Sequence, residues 1–243
     1  REDRPRGGLP FGSGTFGALS AEQARQRRRE SRELLTRLCN YVNQNGVDLV
    51  LLAGDLFDSD TTYRETLEAL SEALGAMRAR VFIAPGNHDP YSAKSPYATL
   101  SWPENVHVFT SKTVERVELP ELQCAVYGAA FTAPVQDESL LAGFRAPEDD
   151  FIHLMVLHGD ISATESRYDP LTKGRSRRAG STILRSATHT SSAASCAKGR
   201  RPTPTPAARR AAVSTSWAKG YPYGHGGARE GRTFVCAVRA QTV

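Results

Sequence analysis

Polar residues of the types that bind metal ions follow three separate apolar segments of this sequence. Asp55 follows the first segment, Asn87 and His88 follow the second, and His158 follows the third. Carboxylate and amide oxygens are ligands for hard divalent cations, and imidazole nitrogens extend the set toward transition metals. Such a mixed set suits Mn²⁺ or Fe²⁺ better than Ca²⁺. The four side chains therefore predict a divalent metal site.

The three apolar segments have the composition of strands that are buried on both faces of a sheet. They cover residues 47–53, 81–84 and 151–157, and polar turn residues follow each of them. Short uninterrupted apolar runs are typical of parallel strands. In open α/β sheets, ligands bind at the carboxyl ends of such strands, which is where the polar residues lie.

Two further segments have the features of helices. Residues 20–45 begin with an S-x-x-Q capping box at Ser20, carry leucines at helical spacing and end before Gly46. Thr62 begins a second capped segment of the same kind, between the first two strands. Strand, helix and strand with short links predict a βαβ unit and an α/β fold. Three shorter segments within 106–127 predict strands with antiparallel pairing.

The motifs at the three strand ends resemble those of the calcineurin-like metallophosphoesterases. GDLFD at 54–58 is similar to the family's GDxxD motif, GNHD at 86–89 to its GNH[DE] motif, and LHGD at 157–160 to its isolated histidine. The first two motifs lie about 31 residues apart with one predicted helix between them, and this spacing makes the resemblance specific. The resemblance covers about residues 9–173, and the branch it resembles most is that of the SbcD-type DNA repair exonucleases.

The resemblance implies a fold, cofactors and partners. The fold would be an α/β, calcineurin-like four-layer α/β/β/α sandwich with mixed sheets, incomplete at both ends. The cofactors would be two divalent metal ions, with Mn²⁺ preferred and Fe²⁺ or Mg²⁺ as alternatives. The chain would be a hydrolase acting on DNA or another phosphodiester, with a coiled-coil ATPase as its partner. The oligomeric state stays open.

The resemblance also implies a role for each residue of the site. Asp55 would bridge the two ions, and Asn87 and His158 would bind the second ion. His88 would donate a proton or stabilise the transition state, and Asp89 is placed to orient His88 by a hydrogen bond. Plainer alternatives stay open, because Asp55 also suits a turn or helix cap and His158 also suits a turn.

Two metal-binding motifs of the family are absent from this sequence. In the family a DxH motif precedes the first loop, but here Asp3 is followed by Pro5 at the position of the histidine. No GHxH motif occurs, and neither His189 nor His225 has the matching neighbours. Because these motifs supply most ligands of one ion, we predict weak or no hydrolysis by the chain as written.

The sequence changes character near residue 170. Residues 1–170 contain 17 Lys and Arg against 25 Asp and Glu, whereas residues 171–243 contain 14 Lys and Arg and a single acid. Residues 174–220 hold few large apolar side chains, namely Ile183, Leu184, Val213 and Trp217, too few to offset chain entropy on folding. We predict four parts: an irregular segment at 1–18, a metallophosphoesterase domain at 19–173, a basic disordered segment at 174–229 and a strand-like segment at 230–243.

Three explanations fit the basic segment: a disordered tail, a nucleic-acid-binding arm, or a shifted reading frame. Codons compatible with residues 181–190 permit DYLALGHTH when they are read two bases out of register, which is a strand that ends in the missing GHxH motif. The same offset over residues 203–220 permits AYPGCPEGRGFDELGEG. Two matches at one offset, in the expected order, favour the shifted frame.

The remaining features concern location and substrate. Four cysteines without paired spacing predict free thiols and a reducing, cytoplasmic location. No run approaches 18 apolar residues, so no membrane span is expected. Tyr91, Tyr97 and Trp102, in an irregular loop at 91–105, either stack on a base or sugar or pack the loop itself. The competing functions are a DNA nuclease, a phosphodiesterase of small esters, and a non-catalytic nucleic-acid-binding remnant.

Overall fold

The computed structural model describes residues 21–54, 56–57, 64–159, 167–170, 182–186, 210–214 and 234–241. The helices of these segments are α1 (Ala21–Gln44), α2 (Arg64–Gly75) and the short α3 (Pro96–Thr99). The strands are β1 (Leu49–Ala53), β2 (Arg80–Ala84), β3 (Val106–Val108), β4 (Glu115–Leu119), β5 (Cys124–Gly128), β6 (Ile152–His158), β7 (Thr182–Ser186), β8 (Arg210–Ser214) and β9 (Phe234–Gln241).

Apolar residues at helical spacing determine how α1 packs. Leu35, Leu38 and Val42 are buried in a cluster with α2 and the first sheet, which confirms the predicted helix. Gly46 follows the helix with a φ of 56°, a left-handed conformation that glycine adopts without strain. In the part of the chain that the structure describes, no helix is both long enough and apolar enough to cross a bilayer.

The first sheet contains five strands in the order β3-β2-β1-β9-β8. β1 is parallel to β2, with Ala53 opposite Ala84, and β2 is parallel to β3. β9 is antiparallel to both β1 and β8. Because α2 joins β1 to β2, the predicted βαβ unit is confirmed. All residues of β1 are buried, as expected for a strand in the middle of a covered sheet.

The second sheet contains four strands in the order β4-β5-β6-β7. β4 is antiparallel to β5, whereas β5, β6 and β7 are parallel to one another. Both sheets are therefore mixed, as predicted. β6 ends at His158, whose partner on β7 is Ser186, so the carboxyl ends of these two strands lie side by side.

Three apolar clusters hold the layers together. The first joins α1 and α2 to the first sheet, the second fills the space between the two sheets, and the third covers the outer face of the second sheet. This arrangement confirms the α/β sandwich with mixed sheets. Within the described residues the outer cover of the second sheet comes from turns near Leu140 and Leu141. Asp169 anchors this cover, because its Oδ1 accepts a hydrogen bond from the Leu140 amide at 2.8 Å.

The pairing of β3 differs from the prediction. The sequence grouped this strand with antiparallel neighbours, but β3 pairs in parallel with β2 at the edge of the first sheet. Asn105 provides the reason, since its side-chain amide donates to the carbonyls of Leu74, Met77 and Ala79 at 2.9–3.1 Å. These bonds hold the start of β3 beside the end of α2, next to β2. β4 and β5 form the antiparallel pair that was predicted.

Two short strands lie inside the segment predicted to be disordered. β7 and β8 fall within 174–229, and β9 falls within the strand-like segment 230–243. The rest of 174–229 lies outside the described residues, as does the predicted irregular segment 1–18. For these parts the predicted organisation stays a prediction.

Substitution of Gly128 is expected to destabilise the contact between the two sheets. A Cβ atom at this position would overlap the ring of Phe109, which is fully buried. We expect Gly128→Ala to lower the free energy of unfolding by about 3 kcal/mol, because a well-packed core accommodates extra atoms poorly. Urea unfolding followed by circular dichroism measures this loss.

Gly143→Ala is the control for that experiment. Gly143 has a φ of 73° but nothing within 4 Å of an added Cβ, so its substitution should cost only the backbone strain of about 1 kcal/mol. Equal losses in the two variants would contradict the packing of Phe109 against Gly128.

Candidate metal centre

The carboxyl ends of strands from both sheets meet at one place. β1 continues into Gly54, whose amide donates to the Ala84 carbonyl at the end of β2 at 2.8 Å. β6 of the second sheet ends at His158, and a Cβ atom built on Gly54 would collide with the Cβ, Cγ and Nδ1 atoms of His158. Glycine is therefore needed for this close approach, and a φ of 64° adds to the requirement.

Asn87 and His158 are in direct contact at this junction. Asn87 lies in the turn after β2, and its Oδ1 is 2.7 Å from Nε2 of His158, although 71 residues separate the two in sequence. Both atoms are close enough to contact one cation, and an amide oxygen with a neutral imidazole nitrogen forms a suitable ligand pair. The structure thus brings together two of the three predicted metal ligands.

Burial keeps the imidazole of His158 neutral. It lowers the pKa of His158 from the ordinary 6.5 to about 4, and the charge of Asp89 and a hydrogen bond to the Ala53 backbone oppose this only in part. At pH 7 the ring therefore carries a single proton. In the chain without metal, Nε2 donates this proton to Oδ1 of Asn87, because an amide oxygen only accepts hydrogen bonds. A divalent cation would take the place of the proton between the two atoms, and a neutral imidazole with an amide oxygen suits such an ion.

Asp89 is a buried carboxylate that connects three segments around the site. Its Oδ1 accepts a hydrogen bond from the Gly86 amide at 2.7 Å, and its Oδ2 accepts from the Phe57 amide at 3.0 Å and the Tyr97 hydroxyl at 2.6 Å. These bonds stabilise the charge away from water and join the turns that follow β1 and β2. The three bonds indicate that Asp89 positions these turns. The predicted hydrogen bond from Asp89 to His88 stays a prediction.

The other predicted site residues are placed as follows. His88 is half-buried in the same turn as Asn87. Asp55 lies outside the described residues, as does Asp58, so the bridging role of Asp55 stays a prediction. Across the described ranges, no three His, Cys, Asp or Glu side chains converge as a metal cluster. The amide of Asn87 is not among those residue types, and Asp55 falls in a gap.

Two histidines within strands have partners away from the site. Nε2 of His107 lies 3.1 Å from Oε1 of Glu115, and Nε2 of His153 lies 3.1 Å from Oδ1 of Asp149. Nδ1 of His153 also contacts the hydroxyl of Tyr127 at 3.1 Å. The contact with Glu115 joins β3 of the first sheet to β4 of the second, and the contact with Tyr127 joins β5 to β6, so both histidines have structural partners.

The structure decides one of the alternatives for the aromatic loop. Tyr97 is 3 % exposed, and its ring centroid lies 5.3 Å from that of Phe57 and 6.2 Å from that of Trp102. Tyr97 therefore packs the loop and offers no face to a base or sugar. Tyr91 and Trp102 are half-buried, so both roles stay open for them.

The pKa of His158 predicts a pH-dependent stability in the absence of metal. Between pH 4 and 6.5 the unfolded chain binds a proton that the folded chain does not, so the free energy of unfolding falls as the pH falls through this window. At about 1.4 kcal/mol per pKa unit, the loss reaches about 3 kcal/mol. Urea titrations in EDTA at several pH values measure the slope.

The His158→Gln variant is the control, because glutamine does not titrate. Its stability should vary much less over the same window, whatever its absolute value. A wild-type stability that is flat from pH 6.5 to pH 4.5 would contradict the burial of a neutral His158.

Sequence reasoning missed several residues that shape the site. Gly54 was predicted only as part of a motif. Its contact with His158 joins two sheets, and no local sequence pattern indicates such a contact. The Phe57 amide and the Tyr97 hydroxyl were also not predicted as partners of Asp89. A hint was available, since an acid that follows Asn-His in a buried turn needs nearby donors.

The two mixed sheets, with Asn and His side chains meeting at their strand ends, define a metal-dependent phosphoesterase domain. Residues 28–180 match the family described as calcineurin-like phosphoesterase. Because this match covers more than half of the chain, the chain belongs to the calcineurin-like phosphoesterase family. The family hydrolyses phosphoester bonds with divalent metal ions.

Two curated proteins are similar to this chain. An uncharacterized metallophosphoesterase, YhaO of Bacillus subtilis (strain 168), is 32% identical over 130 residues, which are 51% of this chain and 31% of that protein. A zebrafish (Danio rerio) transmembrane protein with a metallophosphoesterase domain is 39% identical over 64 residues, which are 26% of this chain and 14% of that protein. The matches thus span less than a third of the length of either relative.

Proposed function

We propose that this chain is the phosphodiesterase domain of a DNA-processing nuclease of the SbcD type. The observation that carries the proposal is the contact between Asn87 and His158 at the joined strand ends of two sheets. The motifs GDLFD, GNHD and LHGD support the metal-dependent phosphoesterase, and the finer assignment to the nuclease branch follows from the resemblance of residues 9–173 to that branch. A coiled-coil ATPase partner and a cytoplasmic location are part of the same proposal.

Each residue of the site has a role in the proposed reaction. Asn87 and His158 would hold one divalent ion and Asp55 would bridge it to a second, and bound metal supplies neutralisation of the phosphate charge and activation of water. His88 would donate a proton to the leaving oxygen, an effect typically worth about 10²–10⁴ in rate. Asp89 holds the turn that presents Asn87 and His88. His158 stays neutral because it is buried, so a metal ion would not have to displace a second proton from the ring near pH 7.

The missing motifs limit the activity we expect. The register of β7 indicates where one of them, GHxH, would lie if the reading frame is shifted. Ser186 on β7 lies level with His158 on β6. In the shifted reading of residues 181–190, the glycine codon would span positions 186 and 187, and the two histidine codons would span 187–188 and 189–190. The GHxH motif would then follow β7 at the edge where β6 ends. Resequencing codons 165–235 tests this hypothesis, and codons incompatible with His-Thr-His in the shifted frame would refute it.

A phosphodiesterase assay tests the proposed function. The full chain with Mn²⁺ should hydrolyse bis(p-nitrophenyl) phosphate slowly, and Asn87→Ala should abolish this activity. End-labelled double-stranded DNA should be shortened under the same conditions. Hydrolysis of the small ester without any cleavage of DNA would favour the alternative, a phosphodiesterase of nucleotides or small esters. Turnover that persists in Asn87→Ala would contradict the proposed site.

The charge of the C-terminal third favours one other function. Residues 171–243 carry 14 basic residues and one acid, which suits a non-catalytic protein that binds nucleic acid through phosphate contacts. Such binding would persist in EDTA and would weaken steeply as the salt concentration rises. Steeply salt-dependent binding together with no hydrolysis at any metal concentration would favour this function over the nuclease.

A further inference from the structure

We propose that Tyr97 is a positioning residue for the metal-binding turn and acts through Asp89. The proposal rests on the proposed metal-dependent function and adds to it a residue outside the three motifs. The hydroxyl of Tyr97 donates to Oδ2 of Asp89 at 2.6 Å, which is the shortest of the three bonds to this carboxylate described above. A buried carboxylate holds its position only as firmly as its donors do.

The ring of Tyr97 is fixed from two sides. It packs against Phe57 with centroids 5.3 Å apart and stacks on Trp102 with centroids 6.2 Å apart and planes 22° apart. The indole Nε1 of Trp102 also donates to the backbone carbonyl of Tyr97 at 3.0 Å. A ring held in this way loses little further entropy when its hydroxyl bonds to Asp89.

The loop that carries Tyr97 is itself held by hydrogen bonds. The hydroxyl of Ser95, a fully buried residue, donates to the Ser92 carbonyl at 2.8 Å and accepts from the Ser92 amide at 3.1 Å, which closes the turn before α3. The hydroxyl of Ser71 on α2 donates to the Ser101 carbonyl at 3.2 Å and ties the far end of the loop to the helical layer. The Tyr97 hydroxyl is therefore a fixed donor.

Two other hydrogen bonds of Asp89 connect it to the turns that hold the predicted metal ligands. Gly86, whose amide bonds to Oδ1, directly precedes Asn87 in sequence. Phe57, whose amide bonds to Oδ2, lies two residues after Asp55 in sequence. Loss of the Tyr97 hydroxyl would remove the shortest of the bonds described for Asp89, and we expect the carboxylate to turn. Asn87 would then move relative to His158.

Tyr97→Phe tests this role, with Tyr127→Phe as the matched control. Tyr127 is also 3 % exposed and its hydroxyl also contacts a side chain, Nδ1 of His153 at 3.1 Å, but on the outer face of the second sheet. Both variants remove one hydroxyl and one hydrogen bond and keep the ring, so both should be less stable than the wild type in urea unfolding. A general loss of stability would therefore appear in both variants.

The distinguishing measurement is NMR of the full chain without metal. We expect the side-chain amide of Asn87 and the imidazole of His158 to change chemical shift in Tyr97→Phe and to keep it in Tyr127→Phe. Titration with Mn²⁺, followed by the electron paramagnetic resonance (EPR) signal of the free ion, should show about 10-fold weaker binding in Tyr97→Phe only. Unchanged shifts at both residues, or equal changes in both variants, would overturn the proposal.

These outcomes separate the inference from the proposed function. If the wild-type chain binds no Mn²⁺, the proposed metal function fails, whereas the NMR comparison still decides whether Tyr97 positions the turn. If Tyr97→Phe does not fold, Trp102→Phe replaces it, because that variant removes the hydrogen bond to the Tyr97 carbonyl and keeps an aromatic ring. Trp102→Phe should then shift the same two resonances, and no shift would overturn the proposal.

Discussion

Gly54→Ala is expected to lower the free energy of unfolding by about 4 kcal/mol, from backbone strain of about 1–2 kcal/mol and overpacking of about 1–3 kcal/mol. The backbone strain follows from the φ of 64° at Gly54, and the overpacking from the collision of an added Cβ with the buried ring of His158. Because His158 must move away, the variant should also lose Mn²⁺ binding. Urea unfolding measures the first effect and EPR of free Mn²⁺ the second.

Gly143→Ala separates the two sources of that loss. Its φ of 73° is similar to that of Gly54, but an added Cβ meets no atom within 4 Å. The difference between the two variants therefore measures the collision with His158 alone. Equal stabilities would show that the two sheets do not approach each other at Gly54 as described.

Asp89→Asn is expected to cost about 3 kcal/mol of stability, since bonds to a charged group contribute about 1.5–3 kcal/mol each and a buried donor that loses its acceptor adds to the loss. The asparagine would keep one oxygen for the Gly86 amide. Its NH₂ group would face the Phe57 amide and the Tyr97 hydroxyl, which are donors to Oδ2 in the wild type. Urea unfolding at pH 7 measures the loss.

Asp149→Asn is the matched control for Asp89→Asn. Asp149 also accepts hydrogen bonds, from Arg116 and from the Phe151 amide, and lies 3.1 Å from Nε2 of His153, but its side chain is 28% exposed. Water can replace lost partners there, so we expect a much smaller loss than in Asp89→Asn. If the two substitutions cost the same, burial does not determine the role of Asp89.

The strands that build the site could be predicted from the sequence because their side chains are buried on both faces. β1, β2 and β6 are nearly continuous apolar runs, and a glycine or histidine with polar neighbours follows each of them. Such runs carry a local pattern. The α/β class and the mixed sheets followed from the same pattern together with the family resemblance.

The contact between the two sheets could not be predicted in the same way. β1 and β2 belong to one sheet and β6 to the other, and no sequence period reports which strand ends face each other across a core. The fit of His158 onto Gly54 depends on that contact, whereas the meeting of Asn87 and His158 at one ion was implied by the family resemblance and by no local pattern. The role of Tyr97 was missed for a similar reason, since its partner Asp89 is reached only through the packing of a loop without regular structure.

The pairing of β3 shows how a single polar side chain can determine which strand a short strand pairs with, when strand propensity does not. Residues 106–108 have no preference for a parallel or an antiparallel neighbour. The amide of Asn105, bonded to three carbonyls near the end of α2, places the strand beside β2. Side-chain bonds to helix ends are specific to tertiary structure, so the sequence alone did not reveal this choice.

Binding of Mn²⁺ to the full chain shows whether Asn87 and His158 form a metal site across the two sheets. EPR titrations of the wild type, Asn87→Ala and His158→Gln should show binding that each substitution weakens at least about tenfold. His107→Asn, in a strand histidine whose Nε2 lies 3.1 Å from Oε1 of Glu115, should leave the affinity unchanged. Equal Mn²⁺ affinity in the wild type and in Asn87→Ala would show that Asn87 is not a ligand.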